Sequence, residues 1–299
     1  VPSSPFSLAA AALAGVLALA SASDALLLAG GIAIVQVVFA LGAIRSSGVA
    51  SARPAAWLGL AVGIGVLAWV LYDDTSDLTP VAAVLGPAML AAFVIQLLRR
   101  DGRARLNAAL SLVVAACVLS VLPVMWLSLR ATPEGVHVVG LALLGVGAVG
   151  LAEALPISRA IRRVLGVLLA STSAAVLVVA VESIDEAVPA VSAVVLSAFA
   201  GVMAAVAFAI EDRLAGDASP VRESVLVPMV NRTSSVEAGD TSAGLAQDVE
   251  SPVDTESGTE ARVGTEPRVG QESLVPLRIA APFVAAAPAA YVLGQLLVS

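Results

Sequence analysis

In the stretch LLRRDGRARLNAAL, Leu97 to Leu110, Asp101-Gly102 is followed closely by Ala104-Arg105, and four arginines, Arg99, Arg100, Arg103 and Arg105, crowd around one carboxylate. Carboxylates that hold a divalent cation beside arginines that hold phosphate are the materials of a membrane diphosphate chemistry. Such a site needs several carboxylate oxygens on one metal, and the run from Arg105 to Leu129 contains no acid. A lone Asp101 therefore partly neutralises a basic collar, and Gly102 permits its turn. Glu153, in GLAEALPISRAIRR (Gly150 to Arg163), is the one acid inside a predicted span. An intramembrane carboxylate suits a proton relay. Its place near a helix end, with Pro156 closing the helix and Arg159 within pairing reach, points instead to a cap at the interface. Asp73, Asp74 and Asp77, and separately Glu182, Asp185 and Glu186, form acidic loops whose solvation explains them. With one histidine, His137, and one cysteine, Cys117, a multi-histidine metal site and an intrachain disulfide are both excluded. No catalytic residue, cofactor site or metal ligand is assigned.

The elements that carry these residues follow from composition. Of 299 residues, 59% are hydrophobic and 13% charged, and the mean hydropathy is +0.97. That lies outside the range of soluble domains. Apolar Ala/Leu/Val/Gly runs near 20 residues match a hydrocarbon core about 30 Å thick, and no alternating barrel pattern appears. The reading is an all-α polytopic transmembrane helix bundle of nine spans: Phe6–Leu19, Ala25–Ile44, Ala55–Tyr72, Leu78–Leu98, Leu106–Leu129, Val136–Leu155, Val164–Val181, Val188–Ile210 and Leu277–Leu297. The first is short, and Ala20-Ser21-Ala22 has the small-residue form of a signal-peptidase site, which would leave eight spans. No basic residue precedes it, which favours an uncleaved helix.

Orientation follows from the arginines, because positive residues in short loops stay cytoplasmic. Arg45 and Arg53, then Arg99, Arg100, Arg103 and Arg105, then Arg159, Arg162 and Arg163 fall in alternate loops; the other loops carry acids and only Arg130. The N-terminus is therefore expected in the cytoplasm and the C-terminus outside a plasma membrane. Trp69, Tyr72 and Trp126 fall at expected outer edges and Trp57 at an inner edge, as interfacial anchors do. The arginines Arg99, Arg100, Arg103, Arg159, Arg162 and Arg163 are also candidate contacts for anionic lipid headgroups.

The net charge of −7 belongs to one segment, since Glu211 to Val275 holds thirteen acids and five arginines. This stretch, taken as a 211–276 linker between a 1–210 bundle and a 277–299 helix, lacks aromatic residues and is rich in Ser, Thr, Gly, Pro and Glu. Such a composition cannot bury enough apolar surface to offset its ordering entropy, so it reads as a disordered cytoplasmic linker. Its repeat, TEARVG then TEPRVG, is too short for a solenoid.

The order Asp-Gly…Ala-Arg is similar to the opening of the aspartate-rich signature of CDP-alcohol phosphotransferases. There two residues separate the pairs and two further aspartates follow; here only Arg103 intervenes and the aspartates are missing. CDP-diacylglycerol synthases carry a late Ser-Pro-x-Lys-Thr/Ser stretch, and this chain has no lysine. The RRDGRAR loop with its Ala/Leu/Val-rich flanks, from Leu97 to about Leu129, resembles uncharacterised polytopic membrane proteins of actinobacteria, a likeness that implies no activity.

Gly59 and Gly63 stand four apart in LGLAVGIG, a small-residue face that lets helices approach closely. Gly86-Pro87 interrupts the fourth span, and Pro282 and Pro288 the last; broken helices can line a substrate site. Three functions are then open. The favoured one is a non-enzymatic protein acting through helix association, with a membrane-protein partner or as a homo-oligomer. A transporter or channel for a small or apolar solute would place the broken helices on a cavity. A lipid-modifying enzyme would bring carboxylates together. Beyond the lipid bilayer no cofactor is implied, and no nucleic-acid partner.

Overall fold

The computed structural model describes residues 4–47, 52–73, 76–98, 106–181, 188–217 and 275–298. The elements in order are α1 (Ser4–Ser23), α2 (Ala25–Ser47), α3 (Ala52–Asp73), α4 (Thr79–Leu98), α5 (Leu106–Val121), a 3-10 turn (Leu122–Val124), α6 (Met125–Arg130), α7 (Gly135–Glu153), α8 (Arg159–Ala180), α9 (Ala190–Asp217) and α10 (Val275–Val298). Among the described residues there is no strand, and eight helices are long and apolar enough to cross a membrane. One of those eight is Leu110–Arg130, which joins α5, the turn and α6; α4 adds a shorter apolar stretch, Thr79–Val94. The described residues form an all-helical bundle, and the chain is an integral membrane protein.

Local chemistry sets the breaks. Asp24 separates α1 from α2, and its Oδ1 accepts the Leu26 N–H at 3.3 Å, satisfying one of the donors left open at a helix start. Pro123, which has no N–H to give, lies where α5 tightens into the 3-10 turn before α6. After α7, Ala154–Ile157 turn and Ser158 adopts an extended conformation before α8.

Two packing groups share one helix. In the first, α1, α8 and α9 surround α7; in the second, α3 packs on α2 and α5, with α4 against α3 and α5. Helix α10 touches both groups, through α9, α7 and α1 on one side and α2 on the other. Small residues set these approaches. On α8 the buried positions Gly166, Ala170, Ala174 and Val178 recur every fourth residue, one face of a helix. A Cβ on Gly147 would meet the Ala14 Cβ at 3.2 Å and one on Gly150 the Ala11 Cβ at 3.2 Å, so α1 lies close along α7. Helix α1 is thereby an integral part of the packed core, with Ala10, Ala14 and Leu17 buried.

Two expectations are corrected here. The last long span before the linker does not end at Ile210: α9 continues to Asp217, so Glu211 and Asp212 are helical. Trp126 is not an interfacial anchor but a core residue, 1% exposed, whose Nε1–H donates to the Phe283 carbonyl at 3.2 Å. Pro123 lies three residues before it, in the 3-10 turn that joins α5 to α6, and the indole packs inward onto α10. Trp57, Trp69 and Tyr72 are exposed. Of the expected 211–276 linker, 218–274 lies outside the described residues, and its two ends, 211–217 and 275–276, are helical.

Candidate functional site: a charged network at one end of the bundle

Glu153 ends α7 and is 5% exposed. Its Oε2 lies 3.4 Å from Arg162 Nε and its Oε1 3.5 Å from Arg163 Nε. Arg162 also donates from one terminal nitrogen to the Glu153 carbonyl at 3.1 Å, so it bridges the end of α7 and the start of α8. The expected partner was Arg159; on α8 that residue points away, and Arg162 and Arg163, three and four positions later, face Glu153 instead. Arg159 is 69% exposed and its Nε stands 3.8 Å from Asp212.

Asp212, on the last turns of α9, closes the network. Its Oδ2 accepts from Arg163 at 2.8 Å and its Oδ1 from Arg278 at 2.7 Å. Arg163 therefore lies between two carboxylates, and α7, α8, α9 and α10 are tied at one end. A buried carboxylate is tolerated only when paired and hydrogen-bonded. Partly buried Asp212 meets both conditions; Glu153 is ion-paired, but its Oε1 and the Arg162 and Arg163 Nε atoms facing it have no hydrogen-bond partner. Beside them Glu211 is 5% exposed, and neither of its carboxyl oxygens has a hydrogen-bond partner. The carboxylates do converge, but Glu153 and Asp212 meet arginines rather than open coordination space, and Glu211 is buried without a partner. Among the described residues no group of three or more His, Cys, Asp or Glu side chains is arranged to hold a metal ion.

Sequence reasoning missed Glu211, Asp212 and Arg278. The first two were assigned to the linker on composition, yet Ala204, Phe208 and Glu211 follow one another at helical spacings of four and three on the buried side of α9. Extending that register past Ile210 is the signal that would have found Glu211. Arg278 carries no local signal, because its partner is 66 residues away in the chain.

The remaining assigned residues divide. Gly59 and Gly63 lie against α5: a Cβ on Gly59 would stand 2.7 Å from the Ala116 carbonyl oxygen, and one on Gly63 2.7 Å from that of Ser120. The latter carbonyl accepts from Gln36 Nε2 at 2.9 Å, so α2, α3 and α5 meet at one buried polar contact. Of the lipid-contact arginines, Arg162 is turned inward, with a side chain 14% exposed, whereas Arg159 is open and Arg163 partly so. Arg99, Arg100 and Arg103 lie outside the described residues, as does Asp101.

Nor do the broken helices define one site. Gly86 and Pro87 are exposed, with open space where a Gly86 Cβ would be. Pro282 is buried in packing, and Pro288 is half-buried on the same helix. A recess of about 630 Å³ lies elsewhere, between α1 and α7 with α8 at its edge; Ala11, Ala14, Gly15, Ala18, Gly147 and Ala148 are among its lining residues. No protein-family model, curated protein or solved structure matches this chain.

Proposed function

We propose that this integral membrane protein is non-enzymatic, resides in the plasma membrane with its N-terminus cytoplasmic and its C-terminus outside, and acts by associating with a transmembrane helix of another protein. The observation that carries the reading is the α1–α7 recess. It is apolar, open to the lipid side and floored by alanine and glycine, and nothing lies within 4 Å of a Cβ built on Gly15. Small residues let a second backbone come close enough for dispersion contacts that lipid chains match poorly. Glu153 and Asp212 are paired with arginines, and the broken helices face packing or the outer surface, which favours association over a path for a polar solute.

Contacts at the opposite end support the alternation of spans on which the orientation rests. Arg130 Nε donates to the Ser21 carbonyl at 2.8 Å and the Tyr291 hydroxyl to that of Ser76 at 2.9 Å, joining segments that the arginine alternation assigns to the outside. Glu153, Arg163, Asp212 and Arg278 join segments assigned to the inside.

The test uses single cysteines on a Cys117→Ala background and a photo-crosslinking residue in place of Leu144. Labelling from outside at Ser76 and Ser183, but not at Gly102 or Ser242, is expected, and the reverse pattern refutes the orientation. Crosslinks from Leu144 to protein, abolished by Gly15→Leu in the recess, are expected in native membranes. Lipid adducts alone would refute association through this face. Reactivity of cysteines at Gly86 and Ala285 towards a water-soluble reagent would reveal an aqueous cavity and favour transport instead.

A further inference from the structure

A second groove, about 400 Å³, runs between α8 and α9 and is lined by Val164, Val167, Leu168, Val202, Val206 and Ala209, with Arg163 at one end. Val164, Leu168 and Val206 are 62%, 56% and 44% exposed, so its apolar walls face the membrane. From Val202 to Ala209 the helix rises about 10 Å, the length of half an acyl chain. At its charged end Arg163 has Nε turned to Glu153 and one terminal nitrogen to Asp212, leaving the other terminal nitrogen of its five-donor fork. One turn earlier on α8, Arg159 is mostly exposed and meets Asp212 only at 3.8 Å. Around this end four arginines (Arg159, Arg162, Arg163 and Arg278) stand against three carboxyls (Glu153, Glu211 and Asp212), and exposed Arg213 adds another cation. Counted over these side chains the charge stays positive even when every acid is ionised, and Arg163 stands at the groove's end.

We infer that this groove binds one anionic phospholipid, with an acyl chain between α8 and α9 and the headgroup phosphate against Arg159 and Arg163. An arginine fork matches phosphate geometry, and the aliphatic slot beneath it offers apolar surface to an acyl chain, which a soluble anion lacks. The site is separate from the α1–α7 recess and does not depend on the association reading.

The test is native mass spectrometry of the full-length protein in neutral detergent, titrated with phosphatidylglycerol, phosphatidylcholine of the same chains, or inorganic phosphate. The first bound phosphatidylglycerol is expected to be held more tightly than phosphatidylcholine, without competition from inorganic phosphate. Arg159→Gln should weaken that binding about fivefold, the worth of one arginine near a charged membrane surface. Val206→Trp, which fills the slot and leaves every arginine in place, should weaken it at least as much. Both positions are exposed, and an unchanged thermal midpoint checks that each variant folds. The control Arg45→Gln, on exposed Arg45 at the end of α2, should leave the first binding event unchanged. Equal retention of the two lipids, competition by phosphate, indifference to Val206→Trp, or an Arg45→Gln effect as large as that of Arg159→Gln would each overturn the inference.

Discussion

Replacing Asp212 with asparagine removes the negative charge and one of the two acceptor oxygens that join Arg163 and Arg278, at 2.8 and 2.7 Å, and so loosens α8 and α10 from the end of α9. At an effective dielectric of about 20, a pair of unit charges roughly 4 Å apart interacts by about 4 kcal/mol. Removing one partner of a buried pair costs about 3–5 kcal/mol, because the other charge is left desolvated. Here two effects reduce that figure. The side chains of Arg163 and Arg278 keep 27% and 24% of their exposure, so water screens them. In the separated state both arginines can also extend to the headgroup region. The expected loss is therefore about 2 kcal/mol, roughly thirtyfold in the unfolding equilibrium at about 1.4 kcal/mol per tenfold. The assay is reversible unfolding in bicelles by steric trapping, as a double-mutant cycle of Asp212→Asn with Arg278→Gln. A coupling of about 1–2 kcal/mol is expected. Arg159→Gln, by contrast, should cost under about 0.5 kcal/mol, because an exposed pair at 3.8 Å contributes little. A cycle coupling indistinguishable from zero, or an Arg159→Gln cost equal to that of Asp212→Asn, would refute the network as the clasp of this end.

Four further outcomes follow from the packing. Gly63→Ala should destabilise by about 1–3 kcal/mol in the same unfolding assay, since its Cβ meets a backbone oxygen at 2.7 Å; Gly30→Ala, with open space around it, should cost nothing measurable. Glu211→Leu should stabilise by about 1 kcal/mol, because it removes buried oxygens that have no partner; a loss would mean that this carboxyl holds the structure together. Lipids brominated along the chain should quench Trp57 and Trp69 but not Trp126, which is 1% exposed, when each is read as the sole tryptophan. Cys117, fully buried, should react with a membrane-permeant maleimide only after unfolding, and fast labelling of the folded protein would contradict its position in the core.

The sequence by itself determined the class of molecule and the approximate extent of its helices, because hydrophobic length matched to bilayer thickness is a property of each segment alone. It also marked Gly59 and Gly63, whose fourfold spacing is local, and singled out Glu153 as the acid inside a span. Local patterning failed where the deciding partner lies far along the chain. Arg159 looks like the mate of Glu153 on proximity, yet the turn at Ala154–Ile157 fixes the phase of α8 so that Arg162 and Arg163 face it. Trp126 reads as an interfacial anchor until α10 brings the Phe283 carbonyl, 157 residues away, against its indole. Asp212 reads as one charge of an acidic linker until α10 returns Arg278 to its side. In a chain whose helices are apolar almost all round, hydrophobic periodicity cannot say which face meets protein and which meets lipid. Close approach of small residues and pairing of the few buried charges make that choice, and both are properties of the assembled bundle.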